Sequence, residues 1–345
     1  MSRIAVVHPL SLLGRELRER LDARPLSWRE VQLFSPEADE AGTLTETGGG
    51  AAVVQALSEA DPEPFDGLDV VFFCGPIEAT RPWLAKLGPD VKCVVLSPGA
   101  EPDDGDPVVS SLGLGQGRGP RVVSPPPGAV FLSHLLAPLR GLGLIGATAT
   151  LIEPASTLDE GALHELFEQT KALLTFGGQP ESPRLGHQWA ANLAANQEEA
   201  DLNLRRHLRE LFGEGTGETL EIDVNSIHAG VFHGMSASLS LEFDAPTDLE
   251  DIAAAWQSNP AIELRLPDSD AGVAEAGVAD DGEEGDPGPA PLGPVDAAQS
   301  EMVLVGVCRI DAERPRRAWV WATMDNLTRG GAINALEAAE SLLAS

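Results

Sequence analysis

Three things are scarce in this 345-residue chain, and each scarcity narrows what it can do. Positive charge comes first. Lysine occurs only at Lys86, Lys92 and Lys171, and Lys plus Arg number 23 against 54 Asp plus Glu, a formal charge of −31. Phosphate backbones are held by clustered cations, so a nucleic-acid partner is disfavoured. Long apolar runs are absent too. None approaches the roughly eighteen residues that cross a bilayer, which argues against a membrane span. The opening residues, MSRIAVVHPL, lack the apolar core of a signal peptide, so a cytoplasmic location is expected. Cysteine is the third. Cys74, Cys93 and Cys308 each sit beside strand-like apolar residues without metal-ligand spacing. They read as buried small hydrophobes in a reducing compartment, and no metal site is expected.

The acid excess has two readings, adaptation to salt and a basic partner. Net charge speaks to solubility before it speaks to any one site, which favours the first.

Residues 3–7 (RIAVV) form an apolar run, and Leu13, Leu17 and Leu21 then follow at helical spacing. Further apolar runs at Val31–Phe34, Leu68–Phe73, Val91–Leu96 and Val122–Val123 have the unbroken character of strands buried on both faces. The alternation predicts a Rossmann-like, doubly wound parallel sheet. The second half differs. Two amphipathic stretches, Leu158–Leu174 and Glu198–Leu211, precede strand patterns, of which Ser236–Phe243 alternates as a sheet with one open face would. An α+β domain is expected there, with helices on one face of a mainly antiparallel sheet. The expected division is 1–128, then 129–323, with an acidic insertion at 267–297 that has almost nothing to bury and reads as mobile. Residues 324–345 form a last helix that returns to the first domain.

Several segments resemble the aspartate-semialdehyde dehydrogenase family. Arg121 to Leu139 reads RVVSPPPGAVFLSHLLAPL. It is similar to the family segment in which N-P-N-C-[ST] opens a helix running toward Leu-x-Pro-Leu. Met324 to Ala335 (MDNLTRGGAINA) is similar to D-N-L-x-K-G-A-x-x-N-A, with Arg329 in the Lys place. Val305–Arg309 resembles V-G-R-I-R, and Ala229–Ser236 resembles P-V-F-x-G-H-S. Together these matches span nearly the whole chain outside the acidic insertion. The resemblance implies a homodimer formed through the second domain. It also implies NADP, or NAD, as cofactor, although the residues themselves give no cofactor.

At the family's working positions the residues change. The nucleophilic thiol aligns with Pro127, which has neither a nucleophilic atom nor an N–H. The catalytic base aligns with Met235, and the substrate-positioning Gln with Glu153. The glycine-rich turn reads His8 to Gly14, where Gly14 survives but His8 and Ser11 bring side chains toward the pyrophosphate place and Pro9 removes a donor. Gly14, Ser11 and His8, with Asn326, are read as the remnants of a cofactor site. Among substrate contacts, Glu198 persists, the Lys after it becomes Asp201, and the carboxylate-holding Arg becomes His228. His233 stands two residues before Met235, on the same strand face but about 7 Å away, and is expected to be structural.

The expectation is therefore a family homologue without the parental phosphorylating dehydrogenase activity, kept as a dimeric binding or regulatory protein. The alternative is an active or repurposed NAD(P)-dependent semialdehyde dehydrogenase in amino-acid biosynthesis, with Cys74 or Cys93 as a relocated thiol. A changed small-molecule site built from His228, His233, Glu153 and Glu198 is a third reading.

Overall fold

The structure is a computed structural model. It describes residues 2–24, 28–47, 50–115, 119–175, 177–178, 182–196, 198–213, 220–266 and 292–344, without the side chains of Arg29 and Glu198. The strands are β1 (Ser2–Val7), β2 (Trp28–Ser35), β3 (Leu44–Thr47), β4 (Gly50–Val53), β5 (Gln55–Ala56), β6 (Val70–Phe73), β7 (Lys92–Val95), β8 (Asp106–Pro107) and β9 (Arg121–Val123), then β10 (Leu144–Glu153), β11 (Leu193–Ala195), β12 (Glu221–Ala229), β13 (Met235–Phe243), β14 (Ile262–Leu264), β15 (Val303–Asp311) and β16 (Arg314–Met324). The α-helices are α1 (Leu12–Ala23), α2 (Ile77–Leu84), α3 (Pro127–Leu136), α4 (Glu160–Leu174), α5 (Glu198–Gly213), α6 (Leu249–Gln257) and α7 (Asn334–Ala344).

The first sheet runs β5-β2-β1-β6-β7-β9-β8, and every pairing in it is parallel. Strand order reverses between β1 and β6, the place where doubly wound sheets open a ligand crevice. All four residues of β6 are buried, because helices and loops cover both faces of such a sheet. Leu17 and Leu21 of α1 close one face. On that same face Ala335, Leu336 and Ala339 of α7 pack with Val94 and Val122. Asn334 pins α7 by donating to Val108 O at 3.1 Å and to Ser124 Oγ at 2.8 Å.

The second sheet runs β11-β12-β10-β13-β16-β15-β14. The β10–β12 and β14–β15 pairs are parallel and the rest antiparallel. Helices α3, α5 and α6 cover one face, where Phe131, Leu208 and Trp256 meet Leu239, Leu241 and Val320. Trp256 satisfies its buried indole N–H on Leu135 O at 2.9 Å. The opposite face carries Ser238, Ser240, Trp319 and Trp321, in step with the alternation of β13.

Up to residue 291, the acidic segment expected to be mobile lies outside the described residues. Its last six residues correct that expectation. Pro294–Ala297 forms a 3-10 turn with Ala297 fully buried, and Leu292 O accepts the Trp321 indole N–H at 2.8 Å. Here the chain regains apolar residues and has something to pack against.

Candidate functional site

A cavity of about 260 Å³ lies between the carboxyl ends of the first sheet, the start of α3 and the ends of β10 and β12. Pro127 stands at its wall as the first residue of α3. Helix N-termini ordinarily present free N–H groups to a ligand. Here Pro125, Pro126 and Pro127 have none to offer. The Ala129 N–H turns back to Pro126 O at 2.8 Å, which leaves Gly128 as the first free donor of the turn. A Cβ at Gly128 would lie 2.6 Å from Leu151 Cδ1, so a larger residue there would push the Leu151 side chain aside. Met235, which also lines the cavity, opens β13, paired with Met324, and is 1 % exposed.

The polar end is built by register. Glu153 and His228 are directly paired residues on parallel β10 and β12. Their side chains lie side by side, with His228 Nε2 at 3.7 Å from Glu153 Oε2, too far for a hydrogen bond. Asn196 donates to the same Oε2 at 3.0 Å and to Ser226 Oγ at 3.0 Å. Ser226 donates a short hydrogen bond to Asp201. Burial, with Asp201 nearby, pushes the Glu153 carboxyl up to about 7. Burial and His187 bring His228 down to about 4, so its imidazole is neutral at pH 7. Trp189 stacks on that ring with centroids 4.1 Å apart.

Among the described residues, no Arg or Lys lines the cavity. No group of three or more His, Cys, Asp or Glu among them could hold a metal ion. The three thiols are buried, and none lines the cavity. Burial pushes Cys93 and Cys308 up to about 12 and raises Cys74 further.

The crevice between β1 and β6 is filled by the chain itself. His8 adopts a left-handed backbone conformation (φ 57°), and its ring packs on Gly75 just after β6. Burial holds this imidazole below the usual histidine range. Ser11 caps α1 by accepting from the Gly14 N–H at 3.0 Å, and its hydroxyl also lies 2.9 Å from His8 O and 3.0 Å from Cys74 O. A Cβ at Gly14 would meet His8 O at 2.3 Å, so glycine is required by helix–strand contact. Asn326 reaches the cavity wall with its amide already engaged, its Oδ1 accepting from the Gly234 N–H at 3.1 Å and its Nδ2 donating to Ser156 Oγ at 3.1 Å.

One sequence expectation needs revision. His233 is not on the strand with Met235. It occupies an exposed turn before Gly234 (φ 83°), outside the cavity lining, because β13 begins only at Met235. Glu198 begins α5, but its side chain lies outside the described residues. The structure thus brings together Glu153 and His228. Asn196, Asn203, Ser226 and Trp189 were missed. Only Ser226 left a signal, lying two residues before His228 on one face of a strand.

No family model matches the chain. A USG-1 protein homologue from Azotobacter vinelandii is 28% identical over 354 residues, covering 99% of this chain and 97% of the relative. The aspartate-semialdehyde dehydrogenase of Prochlorococcus marinus is 24% identical, with 99% and 95% covered. A solved structure of a probable aspartate-semialdehyde dehydrogenase from Pseudomonas aeruginosa superposes with a TM-score of 0.82 at 26% identity, over 99% of this chain and 98% of that one. The chain is a homologue of the aspartate-semialdehyde dehydrogenases. Both sheets and the cleft between them are the fold of that family. Among the described residues no helix is long and apolar enough to cross a membrane.

Proposed function

We propose that this homologue has lost the phosphorylating dehydrogenase reaction and acts as a binding or regulatory protein through the cavity it retains. The observation that carries the reading is Pro127 at the cavity end of α3, with Met235 lining the same cavity and every thiol buried elsewhere. The parental chemistry needs a thiolate to attack the aldehyde, a base to take its proton, a dinucleotide to accept hydride and a cation to hold phosphate. Pro127 and Met235 can supply neither of the first two. Loss of a nucleophile alone costs on the order of 10⁴–10⁶ in turnover. The His8 ring and the Ser11 hydroxyl stand in the crevice where a pyrophosphate would rest on a helix N-terminus. A cavity wall without Arg or Lys offers an anionic substrate no partner.

A homodimer through the outer face of the second sheet accompanies this reading. Trp319 and Trp321 are only partly covered there, with the Arg309 guanidinium 4.3 Å from the Trp319 ring centroid. Size-exclusion chromatography with light scattering reads this directly, and a monomer removes that element.

The test of function is an assay with aspartate semialdehyde, inorganic phosphate and NADP or NAD, paired with thermal denaturation in each dinucleotide. No turnover and no shift in Tm are expected. A ligand at a hundred times its Kd would stabilise the fold by about 2.7 kcal/mol, easily seen. Phosphate-dependent NADP reduction removes the silent reading.

A further inference from the structure

His8 closes the crevice between β1 and β6 in an arrangement that costs free energy in two ways. Its backbone is left-handed (φ 57°), a conformation that residues with a Cβ rarely hold. Its ring is 6 % exposed, and neither ring nitrogen has a hydrogen-bond partner among the described residues. Only a glycine, Gly75, fits beneath that ring. The His8 backbone is anchored on both sides. Its N–H donates to Phe34 O at 2.9 Å, and its O accepts from the Ser11 N–H at 3.3 Å and the Ser11 hydroxyl at 2.9 Å. The ring alone can therefore leave, by rotation about its side-chain torsions.

We propose that His8 is a proton-operated plug: the neutral ring closes the crevice, and the protonated ring turns off Gly75 toward the acidic turn after β2 and opens it. Burial favours the neutral ring, whereas Glu40 and Glu37 on that turn favour the charged one. From α1 come Ser11 and Gly14, while Arg15 pairs with Glu160 and Arg18 turns onto Pro9 O, the Thr45 hydroxyl and Glu46 O. Beyond β6 stand Cys74, whose thiol burial keeps neutral, and Glu78 of α2, which acts on Arg81. The end of β2 adds Phe34 and Ser35, the Ser35 hydroxyl donating to Glu40 at 2.7 Å. The carboxylates that attract an imidazolium thus lie on the turn after β2, where Glu37 is exposed. Buried, the ring holds its proton less tightly than an ordinary histidine at 6.5, and beside those carboxylates it holds it more tightly. Falling pH therefore favours the open form. The proposal holds or fails whether or not the chain turns over substrate.

The test follows the seven histidine rings of the full chain by nitrogen NMR from about pH 8 to about pH 5, His8 being assigned by its loss in His8→Asn. Asparagine tolerates the left-handed backbone and carries no titrating proton. The His8 ring should titrate within this range. At the same midpoint, hydrogen-exchange protection should drop about tenfold or more at the Gly75 amide, beneath the ring, and at the Cys74 amide, bound to Val7 O. Amides of β13 in the second sheet should keep their protection, which separates local opening from acid unfolding. In His8→Asn, protection at 74 and 75 should not change with pH. Glu37→Gln combined with Glu40→Gln should lower the midpoint, and serves where His8→Asn does not fold. A ring that stays neutral throughout, or one that titrates without loss of protection, overturns the proposal. So does a loss that persists in His8→Asn, or a midpoint that the double variant leaves in place.

Discussion

The imidazole of His8 lies so close over Gly75 that a Cβ at position 75 would stand 2.2 Å from ring Nδ1. Two strands at the centre of the first sheet are locked at their ends by this contact, in the crevice that relatives of this fold class keep open for a ligand.

Gly75→Ala should therefore destabilise the fold by about 1–3 kcal/mol, the usual range for overpacking. In His8→Gly the same substitution should cost far less. A double-mutant cycle by urea denaturation should give a coupling of at least about 1 kcal/mol, and additivity would show the two residues apart.

Glu153 gives the protein a measurable pH signature. Its folded value of about 7 lies above the ordinary 4.5, so the folded chain holds this proton more tightly than the unfolded one. That contribution is complete below about pH 4.5 and lost as pH climbs through about 7. Glu153→Gln keeps the neutral form, so its stability advantage should grow to on the order of 2–3 kcal/mol by about pH 8. His228 and His134, lowered to about 4 and about 3, act oppositely, costing stability as pH falls below 6.5. His134 is common to both proteins and drops out of the difference, and His228, titrating at about 4, adds little to it above about pH 6.5.

The three native thiols should be silent to a thiol-labelling reagent in the folded chain and release three equivalents in urea. Burial and raised pKa values at Cys74, Cys93 and Cys308 both act in that direction. Rapid labelling of one of them in the native state would reopen the relocated-nucleophile reading.

Pro127→Cys places a thiol at the first position of α3, facing the cavity. It should be alkylated by iodoacetamide while the native thiols stay protected, with an apparent pKa below the usual ~8.5 because the helix N-terminus favours a thiolate. A protected thiol at 127 would mean that the helix start is sealed from solvent.

Arg329 is buried with both terminal nitrogens on Glu337, at 2.8 and 2.6 Å, and one also on Ser111. Lysine occupies the corresponding place in the family motif. Arg329→Lys should nevertheless destabilise this chain by about 1–3 kcal/mol, because an ammonium cannot make the paired fork.

The N-terminal half was legible because buried parallel strands read as unbroken apolar runs. Those at Leu68–Phe73 and Val91–Leu96 contain the strands Val70–Phe73 and Lys92–Val95 of the sheet. The alternation of Ser236–Phe243 likewise gave away a half-open sheet. The end of the acidic segment did not declare itself. Composition averaged over 267–297 hides the few residues, Leu292 and Ala297 among them, that find a surface to pack on.

Composition and local periodicity determine which residues can form strands and helices, and residue type alone shows that Pro127 has no thiol and Met235 no titrating ring. Tertiary structure decided what those positions face. Strand register set Glu153 beside His228 across 75 positions of chain. Turn geometry removed His233 from that company, and the approach of two strand ends put His8 over Gly75. Side-chain chemistry is a local property, whereas burial, partnership and proton affinity belong to whatever distant segments the fold brings alongside.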